Sequence, residues 1–164
     1  MPSSQLFYED IFRKLGENQV KYLLIGGIAV NLYGVQRATG DIDLLLFMDH
    51  GNLLKFISIM KEAGLVPKLP VKAEDLADPT KIKTWREEKN LKAFSFIAPD
   101  NPYIVVDVMV EESLPFDDIF KRRNQIKAWG IELSVVSLAD LIKLKEIAGR
   151  SQDLADVEAL RKFK

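Results

Sequence analysis

The chain has no cysteine and a single histidine among its 164 residues. The missing thiols exclude disulfides, thiolate zinc sites and cysteine nucleophiles. His50 stands beside Gly51 in a predicted turn between a strand and a helix, which disfavours a histidine metal site or a catalytic triad. Any chemistry must therefore come from carboxylates and cationic side chains.

The chain also lacks a long apolar run and a strong charge of either sign. No stretch approaches the roughly eighteen apolar residues that a membrane span needs, and the N-terminus has no basic segment followed by an apolar core. Lys and Arg number 23 against 24 Asp and Glu, a net charge of -1, so nothing predicts a general nucleic-acid coat. We expect a cytoplasmic protein without membrane contact, on which a local basic groove remains open.

The remaining composition, 48% hydrophobic and 29% charged, is that of an ordinary globular chain. Its length suits one domain over residues 1–164, with a core over about 18–136 and C-terminal helices over about 137–163. Apolar spacing predicts helices at 4–17, 28–33, 52–63, 117–123, 138–148 and 152–163, and strands at 20–25, 41–47, 91–98, 103–110 and within 125–136. Residues 67–78 are predicted to be loop with a short turn of helix. The expected fold class is α/β (α+β), a mixed sheet flanked by helices with a C-terminal helical hairpin.

Two aspartates interrupt one of these apolar strands. Asp41 and Asp43 stand at i and i+2, which places both carboxylates on one face. At about 6.6 Å apart they repel by roughly 2 to 3 kcal/mol at an effective dielectric of about 20. Hard divalent cations, often held by one or two carboxylates together with substrate phosphates, are the obvious compensation.

A third carboxylate and a glycine pair complete the pattern. Alternation along residues 103–110 places Asp107 in the middle of a strand, opposite in direction to Val106 and Val108. If that strand pairs with 41–47 so that the carboxylate faces agree, three acids converge on one or two Mg²⁺ ions, the arrangement that in-line displacement at a nucleotide requires. Gly26 and Gly27 end the preceding strand, and their bare backbone can approach a triphosphate closely.

Three further residues are candidates for nucleotide contact. Arg37 and Thr39, just upstream of the aspartates, offer a guanidinium and a hydroxyl, although Arg37 can equally pair with a surface carboxylate and Thr39 can simply shape the turn. Lys145 is a candidate for a phosphate contact on a helix where Lys143 and Lys145 otherwise read as solvated. Arg150, Asp153 and Asp156 read as caps and helix-surface pairs. The basic segments 81–86 and 121–123 read as solvated surface or as an RNA contact.

The order of these motifs resembles that of the DNA polymerase β-like nucleotidyltransferase superfamily. The motif reads Ile25-Gly26-Gly27, then Asp41-Ile42-Asp43, then Asp107, and it covers residues 22–110. The ending LADLIKLKEIAGRSQDLADVEAL is similar to the last helices of small bacterial and archaeal members, among them lincosamide and aminoglycoside nucleotidyltransferases and abortive-infection toxin enzymes.

The resemblance implies a role for each motif residue. Asp41 and Asp43 would bind two Mg²⁺ ions, and Asp107 would bind the catalytic one and activate the acceptor hydroxyl. Gly26 and Gly27 would cradle the β- and γ-phosphates. Gly27 departs from the family, since many members have Ser there, so the implied hydroxyl contact is missing and its role falls to the backbone.

These features lead to two hypotheses of different classes. The first is a Mg²⁺-dependent nucleotidyltransferase that moves NMP from an NTP, ATP among the candidates, to a hydroxyl of tRNA, a protein or a small molecule. The second is a non-catalytic module of the same fold, either a nucleotide sensor or the partner of an antitoxin, toxin or other helical protein. The acceptor, the base and the oligomeric state do not follow from the residues.

Overall fold

The computed structural model of the chain describes residues 4–163, of which Ser4 is described by its backbone alone. The helices are α1 (Ser4–Glu17), α2 (Gly26–Leu32), α3 (His50–Glu62), α4 (Pro79–Lys89), α5 (Phe116–Lys121), α6 (Leu138–Ala148) and α7 (Ser151–Arg161), with a 3-10 turn at Ala73–Ala77. The strands are β1 (Tyr22–Ile25), β2 (Ile42–Leu46), β3 (Val66–Pro67), β4 (Ala93–Ala98), β5 (Asn101–Met109), β6 (Asn124–Ala128) and β7 (Ile131–Val135).

All of these strands belong to one mixed sheet, in the order β3-β4-β5-β2-β1-β7-β6. β2 runs parallel to β5 and β1 runs parallel to β7, whereas the other neighbours are antiparallel. The expected α/β class with a mixed sheet, flanking helices and a C-terminal helical pair is confirmed. Within residues 4–163 no helix is both long enough and apolar enough to cross a membrane.

One face of the central strands is sealed and the other is left partly open. Burial alternates along β2 and β5, so Leu44 and Val108 are fully buried while the residues between them are not. On the sealed face, Phe96 of β4 meets Phe56 of α3 edge to face, with ring centroids 5.8 Å apart. The α3 side of the sheet is therefore the core, and the opposite side is available for a site.

Local signals account for several helix ends. The Ser137 hydroxyl accepts a hydrogen bond from the Asp140 N–H at the start of α6, and Gly149 ends that helix at φ +66°, as the sequence predicts. α2 begins at Gly26, two residues before the predicted start at Ile28, so the glycine pair forms its first turn.

Residues 67–78, expected to be loop with a short turn of helix, contain the end of β3 and the 3-10 turn at Ala73–Ala77. The helix α4 was not predicted, and it carries the basic segment 81–86, of which only Ile82 is buried. Asp78 caps α4 by accepting from the N–H groups of Thr80 and Lys81, and Pro79 occupies its first turn. Because only Ile82 of this helix is buried, its apolar periodicity is too weak to be read from sequence.

Candidate active site

Asp43 and Asp107 are direct register partners on the parallel strands β2 and β5. Paired residues on adjacent strands point to the same face and lie about 4.8 Å apart. Their chain neighbours Ile42 and Val106 are fully buried on the opposite, sealed face. The two carboxyl groups therefore stand side by side on the open face, within hydrogen-bonding reach of each other.

Asp41 lies one residue before β2 and is exposed. Partial burial raises its pKa, the charge of Asp107 raises it further, and Lys68 lowers it. The effect on Asp43 is larger, because burial, then Asp107, then Asp41 raise its pKa to about 7, against a lowering by Lys145. The three acids thus repel one another, as their spacing in the sequence suggests.

The glycine turn packs directly against these acids. Gly26 adopts φ +74°, and a Cβ built on it would overlap the carboxylate of Asp43, with its Cγ only 2.7 Å away. Any side chain at position 26 would therefore displace Asp43 and strain the backbone. This close approach explains why the turn preceding the aspartates carries glycine.

Glycine is required at position 27 because there is no room for a side chain, and not because of its backbone angle. A Cβ at this position would overlap the hydroxyl of Thr39 and would lie 2.7 Å from the Thr39 Cβ and 3.2 Å from Arg37 Nη2. The structure thus places the Thr39 hydroxyl and the Arg37 guanidinium against Gly27. Gly27 and Thr39 are complementary, since one provides the room that the other fills.

Arg37 and Lys145 meet on one buried carboxylate. Asp156 is 2% exposed, and its Oδ2 lies 2.9 Å from Lys145 Nζ and accepts a hydrogen bond from Arg37 Nη2 at 3.2 Å. Arg37 Nε is 3.0 Å from Oδ1 but has no hydrogen-bond partner among the described residues. The interpretation of Lys145 as a solvated lysine was wrong, because it is only 7% exposed.

Asp153 extends this buried cluster. It is 2% exposed and contacts Lys145 Nζ at 3.3 Å and Arg150 Nε at 2.8 Å. Burial pushes the pKa of Asp153 upward, but the hydrogen bond from Arg150 and the charge of Lys145 outweigh it and leave the pKa lowered. Asp153 and Asp156 are therefore not helix-surface residues, since they join α6, α7 and the loop before β2.

Three residues near the acids were missed in the sequence. Ser95 is the register partner of Asp107 on β4 and donates a hydrogen bond to its Oδ1 at 2.5 Å. Lys68 lowers the pKa of Asp41 by its charge, and Tyr8 of α1 is close enough for all three acids to raise its pKa in addition to burial. Alternation could have placed Ser95 on the open face, but no sequence signal brings Tyr8 or Lys68 to it.

The donor set suits a hard divalent cation, although the side chains are not arranged around one. No group of three His, Asp or Glu side chains in the described part of the chain is close enough to hold a metal ion. The paired acids Asp43 and Asp107 are nevertheless an oxygen-only donor set whose repulsion a cation would relieve. Asp41 lies two residues before Asp43 in the chain, exposed and one residue before β2.

A separate cavity of about 400 Å³ opens at the carboxyl ends of β2 and β5. Leu45 and Met109, which line it, follow Asp43 and Asp107 by two residues and so point to the same face of the sheet. Most of the residues that line it are apolar, and Arg86, Glu112 and Asp117 are among the charged ones.

Comparison with known proteins identifies the fold. No family model and no curated protein matches the sequence. The lincosamide antibiotic adenylyltransferase LnuA, solved with lincomycin, superposes with a TM-score of 0.61 at 13% identity over 100% of this chain and 98% of its own. A nucleotidyltransferase candidate from Thermotoga maritima gives a TM-score of 0.60 at 16% identity over 99% and 94%.

A third similar structure is the antibiotic-resistance factor ANT(2'')-Ia, with a TM-score of 0.61 at 12% identity over 98% of this chain and 84% of that one. At such identities the likeness establishes architecture and leaves activity to the residues of the site. The family resemblance drawn from the glycine and aspartate motifs agrees with this result. The chain has the nucleotidyltransferase fold.

Proposed function

We propose that the protein is a metal-dependent nucleotidyltransferase that transfers NMP from an NTP to an acceptor hydroxyl and releases pyrophosphate. The observation that carries the proposal is the register pairing of Asp43 with Asp107, beside Asp41 and against the Gly26 turn. An acid row of this kind costs folding free energy unless a cation or proton compensates it.

Each residue has a part that follows from its position. Asp41 and Asp43 would hold the divalent ions, and Asp107, partly open to solvent, would accept the proton of the acceptor hydroxyl. Bound divalent ions would polarise the α-phosphate and offset the charge of the departing pyrophosphate. The Ser95 hydroxyl, already on Asp107 Oδ1, would hold that carboxylate in a fixed direction.

The cations beside the glycine turn support binding of the NTP phosphates there. Arg37 Nη2 lies against Gly27, and Lys145 is close enough to lower the pKa of Asp43. Arg37 Nε lies 3.0 Å from Asp156 Oδ1, so this buried carboxylate holds the guanidinium beside the turn. A triphosphate across Gly26 and Gly27 would therefore meet bare backbone, the Thr39 hydroxyl and two cations.

For the acceptor, the cavity lined by Leu45 and Met109 favours a small molecule. Its volume of about 400 Å³ is within the range of small-molecule sites, and Leu45 and Met109 lie two residues along their strands from Asp43 and Asp107, which do not themselves line it. LnuA was solved with lincomycin, and ANT(2'')-Ia was solved with adenylyl-2''-tobramycin. tRNA and proteins are tested as alternative acceptors. Arg122 of one basic segment already makes a bidentate pair with Asp140, which makes it less available to an RNA.

The test is transfer from α-labelled NTPs in Mg²⁺ to lincosamides, aminoglycosides, bulk tRNA and cell protein. We expect a labelled product with equal pyrophosphate release from wild type, and none from Asp43→Asn or Asp107→Asn. The matched control is Asp10→Asn, an exposed aspartate that pairs with Lys14 on α1 and should leave transfer unchanged. Wild-type rates in either site variant would contradict the assignment.

The same experiment separates the enzyme from the non-catalytic module. Calorimetric titration with Mg²⁺ and a non-hydrolysable NTP gives binding for the enzyme and for a nucleotide sensor, but only the enzyme turns over. Binding without any product across the four acceptor classes would favour the sensor. No binding at all would reject the enzyme and the sensor and would favour the partner module.

A further inference from the structure

The hydroxyl of Tyr8 links the backbone beside two of the three acids. Tyr8 lies on α1 with 6% of its surface exposed. Its hydroxyl donates to the carbonyl oxygen of Gly40 at 2.5 Å and accepts from the N–H of Val105 at 3.2 Å. Gly40 directly precedes Asp41, and Val105 stands two residues before Asp107.

This bridge stands where the β2–β5 ladder starts. The pairing of the two strands begins with Ile42 opposite Val106, while β5 itself begins five residues earlier at Asn101. At Val105 the N–H group is satisfied by the Tyr8 hydroxyl in place of a strand neighbour. A side chain from a distant helix thus extends the ladder by one step.

The segment that Tyr8 holds is supported upstream by the Asn31 amide, which donates to the carbonyl oxygens of Val35 and Arg37, and by the Arg37–Asp156 ion pair, whereas Tyr8 holds its downstream end at Gly40. Residues 35–41 have no regular secondary structure, and a Cβ built on Gly40 would meet open space. The direction of the Asp41 side chain depends on this backbone, because Asp41 lies outside β2. Burial, followed by the charges of Asp41, Asp107 and Asp43, raises the pKa of Tyr8, so its hydroxyl stays neutral and able to donate.

We propose that Tyr8 is a positioning residue that fixes the backbone of Asp41 relative to Asp107, so that both carboxylates can share a divalent ion. The proposal rests on the proposed function, since the ion is part of that function. Helix α1, which is far from the motifs in sequence, would then help to position the residues of the metal site. The chain also supplies a matched control for it.

Tyr22 provides that control because it makes the same kind of contact elsewhere. It is 4% exposed, and its hydroxyl accepts a hydrogen bond from the N–H of Ser134 at 3.1 Å. Burial raises its pKa too, but without a contribution from the three acids. Tyr8→Phe and Tyr22→Phe therefore remove equivalent hydroxyls, one beside the acids and one remote from them.

The first readout is amide hydrogen exchange of the metal-free protein. Tyr8→Phe should speed exchange at Val105 by about 3- to 10-fold, the effect of losing one hydrogen bond, and should leave Ser134 unchanged. Tyr22→Phe should do the reverse. Unchanged exchange at Val105 in Tyr8→Phe would overturn the bridge itself.

The second readout is direct binding of Mn²⁺, followed by paramagnetic resonance without nucleotide turnover. Tyr8→Phe should weaken the affinity by about 3- to 10-fold while Tyr22→Phe retains that of wild type. Equal affinity in Tyr8→Phe and wild type, or an equal loss in Tyr22→Phe, would overturn the positioning role and leave the proposed function standing. Failure of wild type to bind Mn²⁺ would overturn both.

Discussion

Asp43 and Asp107 face each other across two parallel strands, and burial followed by the charge of Asp107 raises the pKa of Asp43 to about 7. A sheet selected for stability alone would carry β-branched apolar residues at such central positions. The acids therefore impose a cost on the metal-free fold that a bound cation would offset. The stability of the metal-free protein therefore depends on the repulsion between these two acids.

Asp43→Asn should stabilise the metal-free protein at alkaline pH while abolishing transfer. The pKa of Asp43 is about 7 in the folded chain against an ordinary 3.8, so between these values the folded state holds a proton that the unfolded state has lost. The free energy of unfolding consequently falls as pH rises from about 4 to about 7. The variant should exceed wild type by about 1 to 3 kcal/mol at about pH 8 and equal it near pH 4.

Urea unfolding in a chelator across this pH range measures the difference. Mg²⁺ or Mn²⁺ added at about pH 8 should raise the stability of wild type and have much less effect on the variant. A wild-type stability that is flat between about pH 4 and 7, or a variant that is less stable than wild type at high pH, would contradict the burial of a repelling pair.

A hydroxyl moved from position 39 to position 27 should be tolerated only when both residues are changed together. Gly27→Ser puts a Cβ into the space of the Thr39 hydroxyl, and such overpacking should cost about 1 to 2 kcal/mol and weaken NTP binding about tenfold. In Gly27→Ser with Thr39→Gly, which removes both the hydroxyl and the Cβ that the new Cβ would overlap, the serine gains room and supplies the missing hydroxyl. Nucleotide titrations and unfolding of both single variants and the double variant give the coupling, and additive losses would count against it.

Asp156→Asn should raise the KM for NTP far more than it lowers kcat. Its carboxylate holds Arg37 and Lys145 together, so its neutralisation removes the charge that the buried Lys145 and the partly exposed Arg37 share. We expect a loss of about 2 to 4 kcal/mol in unfolding free energy and a rise of about tenfold in KM. Steady-state kinetics at saturating acceptor measures the second quantity.

Asp140→Asn is the control for this prediction. Asp140 is also a buried aspartate in an ion pair, with Arg122, but it lies away from the glycine turn. Its loss should lower stability, by less than that of Asp156 since Arg122 is exposed, without changing the KM for NTP. A similar KM shift in both variants would mean that general destabilisation explains the effect.

Ser95→Ala should reduce kcat by about 3- to 10-fold with little change in stability, because it removes one hydrogen bond to Asp107 on the open face. Ser134→Ala is the comparison, since its buried hydroxyl has no hydrogen-bond partner among the described residues. That variant should keep full activity and be at least as stable. Full activity of Ser95→Ala would remove Ser95 from the catalytic arrangement.

Elements with strong local signals were predictable. α1 was expected at residues 4–17 and is found at Ser4–Glu17, and α6 begins and ends at the predicted Ser137 and Gly149. α4 was not predicted, although Asp78 and Pro79 mark its start, because a helix with one buried residue has almost no apolar period. β3 was missed because two residues in a proline-rich stretch carry no strand pattern.

The candidate site divides in the same way. The aspartates and the glycine pair are close in sequence or periodic along a strand, so they can be predicted from local geometry. Ser95 lies on β4, Lys68 directly follows β3 and Tyr8 lies on α1, so their proximity depends on strand order and helix packing. The burial of Lys145 was equally hidden, because a lysine on an amphipathic helix looks solvated until its aspartate partners are seen.

By itself, the sequence determined which side chains alternate to the open face of each strand, which glycines the chain needs, and the family that this order of motifs resembles. The tertiary structure decided the register that sets Asp43 beside Asp107 and the buried charges that hold Arg37 and Lys145. The reason is physical: alternation and turn geometry are local properties of the chain, whereas register and ion pairing depend on the free energy of packing residues far apart in sequence.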